Sequence, residues 1–158
     1  MIRQIARIGM IVGLAATLAA TLTNTAAAAP TGFAAVAAHA GGAGATATSS
    51  TGAMSWSTSL RTVTLTNVKF FVKGGECATL LMGGFQGGTL VTSTYRYPAS
   101  GSACPPANRT YPLGTVTLTA TVPGGVQDVF ITATDDSHDV TGWADCYRTA
   151  SSCETGQF

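Results

Sequence analysis

The twenty residues from Thr115 to Thr134, TVTLTATVPGGVQDVFITAT, alternate apolar and polar side chains on both sides of a Pro-Gly-Gly turn. A period of two over strand-length runs marks β-strands with one face buried. Read as a hairpin closed by a two-residue primed turn at Gly124-Gly125, with Pro123 opposite Val126, the stretch has one self-consistent register. One face then carries Val116, Leu118, Ala120 and Val122 against Ala133, Ile131, Val129 and Gln127. The other carries Thr115, Thr117, Thr119 and Thr121 against Thr134, Thr132, Phe130 and Asp128. A three-residue loop would slip one strand and carry Asp128 and Thr132 to the apolar side, so the pattern selects its own register.

The rest of the C-terminal region offers further strands. Thr62 to Thr66 places Val63 and Leu65 on one face, after which the apolar set moves to Val68, Phe70 and Val72. That change of phase predicts a bulge or bend at Thr66-Asn67. Cys77 to Met82 is mostly apolar and reads as a well-buried strand. Thr89 to Tyr97 alternates, with Val91, Tyr95 and Tyr97 on one side. Arg109 to Leu113 reads as an edge strand, because Pro112 has no ladder donor. Val140 to Tyr147 is the last strand before a small loop. No segment carries a 3.6-residue period. The predicted class is an all-β antiparallel sandwich of about seven strands over 59–158, Ig-like or jelly-roll-like in connectivity. The Cys, Trp, Cys order of true immunoglobulin domains is missing, since Trp143 follows both Cys77 and Cys104.

The N-terminal part reads differently. Arg3 and Arg7 flank a short basic start, Ile8 to Leu22 is apolar, and Thr23 to Ala29 ends in alanines. Residues 1–29 therefore have the layout of a secretory signal peptide, cleaved near Pro30. Residues 30–58 shift to Ala, Gly, Ser and Thr, with little large apolar surface to bury, and predict a flexible extension. His39 within it reads as a solvated residue. Cleavage removes two of the eight basic residues, leaving six against seven acidic ones. A chain so close to neutral lacks the basic clusters that nucleic acid or an anionic membrane requires. The mature protein is expected to be an extracellular or cell-wall-associated monomer, with no membrane attachment after signal cleavage.

Four cysteines, Cys77, Cys104, Cys146 and Cys153, meet an oxidising compartment in an exported chain. The expected pairs are Cys77 with Cys104 and Cys146 with Cys153, the latter enclosing only YRTASS. Loop-closure entropy makes the first worth about 3.5 kcal/mol and the second about 2.5 kcal/mol. Cysteine or histidine pairs at the short spacings of zinc motifs are absent.

In outline, an exported chain rich in Ala, Gly and Thr with two disulfides and one all-β domain, this sequence is similar to the apoproteins that carry enediyne chromophores. The likeness is architectural. Their cysteine spacing differs from Cys77, Cys104, Cys146 and Cys153, and no site residue carries over.

The densest polar cluster is Asp135-Asp136-Ser137-His138-Asp139. Neighbours in one loop seldom align as a nucleophile, base and orienting acid, so a triad is disfavoured. Asp135, Asp136 and Asp139 offer hard oxygens to calcium, the one cofactor the sequence raises, although the spacing is not that of a calcium loop. The plainer reading is a solvated turn. No pair of acids stands out for glycoside cleavage. Aromatic residues give the leading binding hypothesis. Tyr95 and Tyr97 share one side of their strand, Trp143 and Tyr147 share a side of theirs, and Phe130 interrupts the threonine face. Together they predict a platform for stacking on sugars or on a flat apolar ligand, the plainer reading being rings that fill the sandwich core with only their polar tips exposed. The functional expectation is a secreted, non-catalytic binding or envelope module whose partner is a polysaccharide or an extracellular protein. The alternative is a disulfide-stapled inhibitor of an extracellular hydrolase, presenting the loop that ends in Cys104-Pro105-Pro106. A small-ligand carrier, or a hydrolase whose site spacing does not reveal, comes third.

Overall fold

The computed structural model describes residues 28–39 and 44–158. The signal-peptide reading falls on residues 1–29, of which 1–27 lie outside the described residues. Among the described residues ten strands follow in order: β1 (Gly32–Ala38), β2 (Thr46–Trp56), β3 (Thr62–Val72), β4 (Ala78–Gln86), β5 (Thr89–Leu90), β6 (Tyr95–Tyr97), β7 (Arg109–Thr119), β8 (Asp128–Asp135), β9 (Val140–Tyr147) and β10 (Glu154–Gln157). One sheet has the order β1-β2-β3-β7. The other has the order β10-β9-β8-β4-β5, with β6 also paired to β4. All pairings are antiparallel. The molecule is thus an all-β sandwich, as the alternation predicts. Its core is filled from both sheets by Leu65, Phe70, Leu118, Leu80, Met82, Val129 and Ile131, all essentially inaccessible to water.

The stretch that most constrains the fold keeps its faces and changes its partners. Val116, Leu118 and Ala120 are buried, and so are Val129, Ile131 and Ala133. Yet β7 pairs with β3 in one sheet, while β8 lies between β4 and β9 in the other. The predicted hairpin is instead a crossover, and the two apolar faces meet across the core rather than side by side. The turn explains this. Gly124 has a φ of 84° after Pro123, and the Gly125 N–H returns to the Val122 carbonyl at 3.2 Å. Proline followed by glycine at positive φ is the type II arrangement, whose twist splays the flanking strands. The primed turn sits at Gly87-Gly88, with φ of 55° and 79°, between the paired Gln86 and Thr89.

Residues 30–58 also correct the expectation of a flexible extension, because β1 and β2 occupy most of that stretch. Phe33, Ala35 and Ala37 point inward in β1 with Ala34 and Val36 outward. Alternation written in alanine on both faces is invisible to a hydrophobicity pattern. The β1 backbone crosses close over β9, which calls for glycine at 142: a Cβ there would lie 2.0 Å from the Val36 carbonyl carbon. The bulge predicted at Thr66-Asn67 is present. Asn67 has a φ of 51°, and the β3 register shifts against both β2 and β7 there. β7 is an edge strand, with Pro112 in it. The single strand expected from Thr89 to Tyr97 is interrupted, giving β5 and β6 in succession along β4. Between them Thr92 turns its hydroxyl inward to accept the Gly84 N–H at 2.9 Å.

Both predicted disulfides, Cys77–Cys104 and Cys146–Cys153, are formed. Among the described residues no helix is long and apolar enough to cross a membrane.

Candidate functional site

Because β4, β8 and β9 lie side by side and antiparallel, their ends gather chemistry in two places. At one end stand the residue before Cys77 and β4, the last residue of β8, and the loop into β9. At the other stand the end of β4, the start of β8 and the end of β9. Eight residues of β8 at about 3.3 Å each put the two ends about 23 Å apart.

The second end carries a groove of about 530 Å³ on the outer face, lined among others by Phe85, Asp128, Phe130, Asp145, Tyr147 and Arg148. Strand parity explains the set. Asp128 pairs with Tyr147 and Phe130 with Asp145, so the four outward side chains form a square across β8 and β9. Phe130 stacks on Trp143 with ring centroids 6.2 Å apart and planes 28° apart. A smaller depression of about 250 Å³ continues from Phe130 past Leu81, Leu90, Thr94 and Thr132. Burial raises the Asp128 carboxyl above its usual range, and the negative charge of Asp145 adds to the rise. The Tyr147 hydroxyl is raised by its hydrogen bond to Asp145, then by the charges of Asp145, Asp128 and Glu154 together with some desolvation. Asp145 Oδ1 is buried and has no hydrogen-bond partner within the protein.

The structure divides the five aromatic residues singled out in the sequence. Phe130, Trp143 and Tyr147 share the outer face of the sheet. Tyr95 and Tyr97 pair with the buried Met82 and Leu80 and so face the core. The Tyr97 ring lies 6.0 Å from Phe70 and 5.3 Å from Tyr111, closing the side of the sandwich between β6 and β7. Burial, then the neighbouring Tyr97, raises the Tyr95 pKa. Phe130 is covered neither by the N-terminal strands nor by β7, since both belong to the opposite sheet.

At the first end Asp135, Asp136 and Asp139 turn to three different surroundings. Asp136 Oδ2 accepts the Thr79 hydroxyl at 2.6 Å. Asp139 is exposed in a turn with a φ of 54°. Asp135 is wholly buried, its Oδ1 accepting the Ser137 N–H at 3.0 Å and its Oδ2 lying 3.0 Å from His138 Nδ1. The Ser137 hydroxyl accepts the Cys77 N–H at 2.8 Å, which spends it on structure. His138 Nδ1 also lies 3.1 Å from Glu76 Oε2, and His39 Nε2 lies 3.2 Å from Glu76 Oε1. Burial pushes the Glu76 pKa up, but His138, the hydrogen bond from Lys73, and His39 together outweigh it and hold the carboxyl low.

His39 and Glu76 are the site residues that sequence reasoning misses. The one available signal is that the chain has only two histidines. They lie far apart in sequence, and only the docking of β1 beside β9 brings them together. Comparison with protein-family models, with curated proteins and with solved structures finds no match to this chain.

Proposed function

We propose that this protein is an exported binding module that takes the sugar rings of a polysaccharide in the groove over β8 and β9. The observation that carries this reading is the square of Asp128, Tyr147, Phe130 and Asp145, backed by the Phe130–Trp143 stack. An aromatic face supports the apolar side of a sugar ring, while carboxylates accept its hydroxyls. Asp128 and Asp145 both line the groove and supply the carboxylates for such hydroxyls. Two disulfides in so small a domain suit life outside the cell. The loop between Cys77 and Cys104, the other candidate contact surface, is bound back to the body. Ala78 and Ala103, just inside the two cysteines, each donate an N–H to the other's carbonyl at 2.9 Å, and β4, β5 and β6 take up much of what lies between, which favours the groove.

The test is retention of the secreted protein on cellulose, chitin and peptidoglycan, followed by calorimetry with soluble oligosaccharides of the retaining polymer. Tyr147→Ala and Phe130→Ala are expected each to weaken binding by about fivefold or more, given that stacking of this kind contributes about 1 kcal/mol or more per ring. The melting temperature of Tyr147→Ala should stay near that of the parent, because the ring is 42% exposed. No retention on any of the three polymers, or full affinity in both variants, overturns the reading.

A further inference from the structure

We infer that His39, Glu76, Asp135 and His138 form a binding site for a divalent first-row transition-metal ion, with zinc best suited to the donor set. One ligand atom from each of the four lies within 4.8 Å of all the others. The contacts around the cluster run from 3.0 Å for His138 Nδ1 to Asp135 Oδ2, through 3.1 and 3.2 Å to Glu76, to 3.8 Å for His39 Nδ1 to Asp135 Oδ2. Tetrahedral zinc with bonds of about 2.0 Å sets its ligand atoms about 3.3 Å apart. Three of the contacts stand at that spacing, but His39 and Glu76 each turn different atoms to their two neighbours, so one ligand atom from each residue spans up to 4.8 Å and an ion would draw the four inward.

The arrangement is less well explained as a set of hydrogen bonds. His138 Nδ1 carries at most one proton, yet it faces a carboxylate oxygen of Asp135 and another of Glu76. The two imidazoles meet edge to face with centroids 4.5 Å apart, and both turn ring nitrogens toward the same pair of acids. Asp135 has no exposed surface, and among the described residues its ion-pair partners are those two imidazoles alone. A carboxylate so far from water needs a compensating positive charge. Two imidazole nitrogens exclude calcium and magnesium, which take oxygen ligands, and favour zinc or a neighbouring first-row ion.

Lys73 shows how the site is balanced without an ion. Its Nζ lies 3.4 Å from Glu76 Oε1 and 3.4 Å from His39 Nε2, on a side chain with 39% of its surface exposed. The ammonium supplies positive charge beside Glu76 and is free to swing into solvent when a metal ion enters. With four protein ligands no position stays open for substrate, so the ion is a structural clamp rather than a catalyst. It ties His39, just past β1, to the residues that precede β4 and follow β8. That fastens the N-terminal hairpin to the opposite sheet at the end far from the groove.

The experiment is calorimetric titration of the untagged secreted chain, both disulfides intact and treated with chelator, against zinc sulfate, with thermal melts alongside. The expected result is one equivalent bound with micromolar or tighter affinity and a rise of several degrees in melting temperature. Calcium at the same concentration should do neither. His138→Gln, whose side chain is half exposed and so replaceable without unfolding, should weaken zinc binding by about a hundredfold or more, since even a residue that only orients a ligand costs about ten- to a hundredfold. Lys73→Ala should bind several-fold more tightly. Absence of zinc uptake by the folded parent overturns the inference, as does parental affinity in His138→Gln.

Discussion

The two ends of the β9-β8-β4 ribbon are built from the same three strands and use their carboxylates in opposite ways. At one, Glu76 and the wholly buried Asp135 are shut in with two imidazoles and Lys73, and the cations hold Glu76 below its ordinary pKa. At the other, Asp128 and Asp145 stand near each other among aromatic rings, and burial with mutual repulsion lifts Asp128 above its ordinary value. Imidazoles and an ammonium gathered around the two acids make the first end a clasp. Carboxylates beside flat apolar surface are what the proposed uncharged, hydroxyl-rich ligand asks of the second. Each end also has its own disulfide, Cys77–Cys104 next to Glu76 and Cys146–Cys153 next to Tyr147.

That symmetry gives a direct way to break one end at a time. Replacing Cys77 and Cys104 together by serine should lower the unfolding free energy by about 3.5 kcal/mol, as urea titration measures it, and impair zinc uptake. Replacing Cys146 and Cys153 should lower it by about 2.5 kcal/mol and impair sugar binding while zinc uptake persists. Next comes Gly142→Ala, whose new methyl would press on the Val36 backbone and push β1 from β9. Overpacking of this kind is expected to take about 2 kcal/mol from stability. It should displace His39 and so reduce zinc affinity, with the groove unaffected.

The smallest effect expected is that of Asp128→Asn, which sharpens the electrostatic half of the comparison. Because the folded-state pKa of Asp128 is raised, its contribution to stability is greatest in acid and is lost as pH rises through that folded value. The variant should therefore melt with the parent at low pH and slightly above it near neutrality. Melting temperatures of both proteins across the acid range check this, and a gap that opens toward acid instead would contradict the sign.

How far the sequence carries the reader depends on the size of the side chains that write the pattern. In β7 and β8 the alternation is written in valine, leucine and isoleucine, and it declares the buried face of each strand correctly. It is silent on partners, because two strands with inward apolar faces satisfy the same pattern as ladder neighbours or as opposite walls of a sandwich. The bulge at Asn67 is legible because a phase change alters which residues are apolar. β1 and β2 are illegible because alanine, serine and threonine occupy both faces. Both disulfides follow from loop size and compartment. The His39, Glu76, Asp135 and His138 cluster has no local signature, since its four members come from three separate segments that only the packing of the sheets assembles. The groove is half legible: Phe130, Trp143 and Tyr147 are named by parity, whereas Tyr95 and Tyr97 face inward through their pairing with β4.

The measurement that bears most directly on this two-ended account is an amide chemical-shift map of one isotope-labelled sample, titrated with zinc and then with a retained oligosaccharide. Zinc is expected to move the amides of Ala38 and His39, Glu76 and Cys77, and Asp135 to His138. The sugar is expected to move those of Phe85 to Gly88, Gln127 to Phe130, and Asp145 to Thr149. Both ligands perturbing the same end, or zinc leaving the amides around Glu76 and Asp135 unmoved, would contradict it.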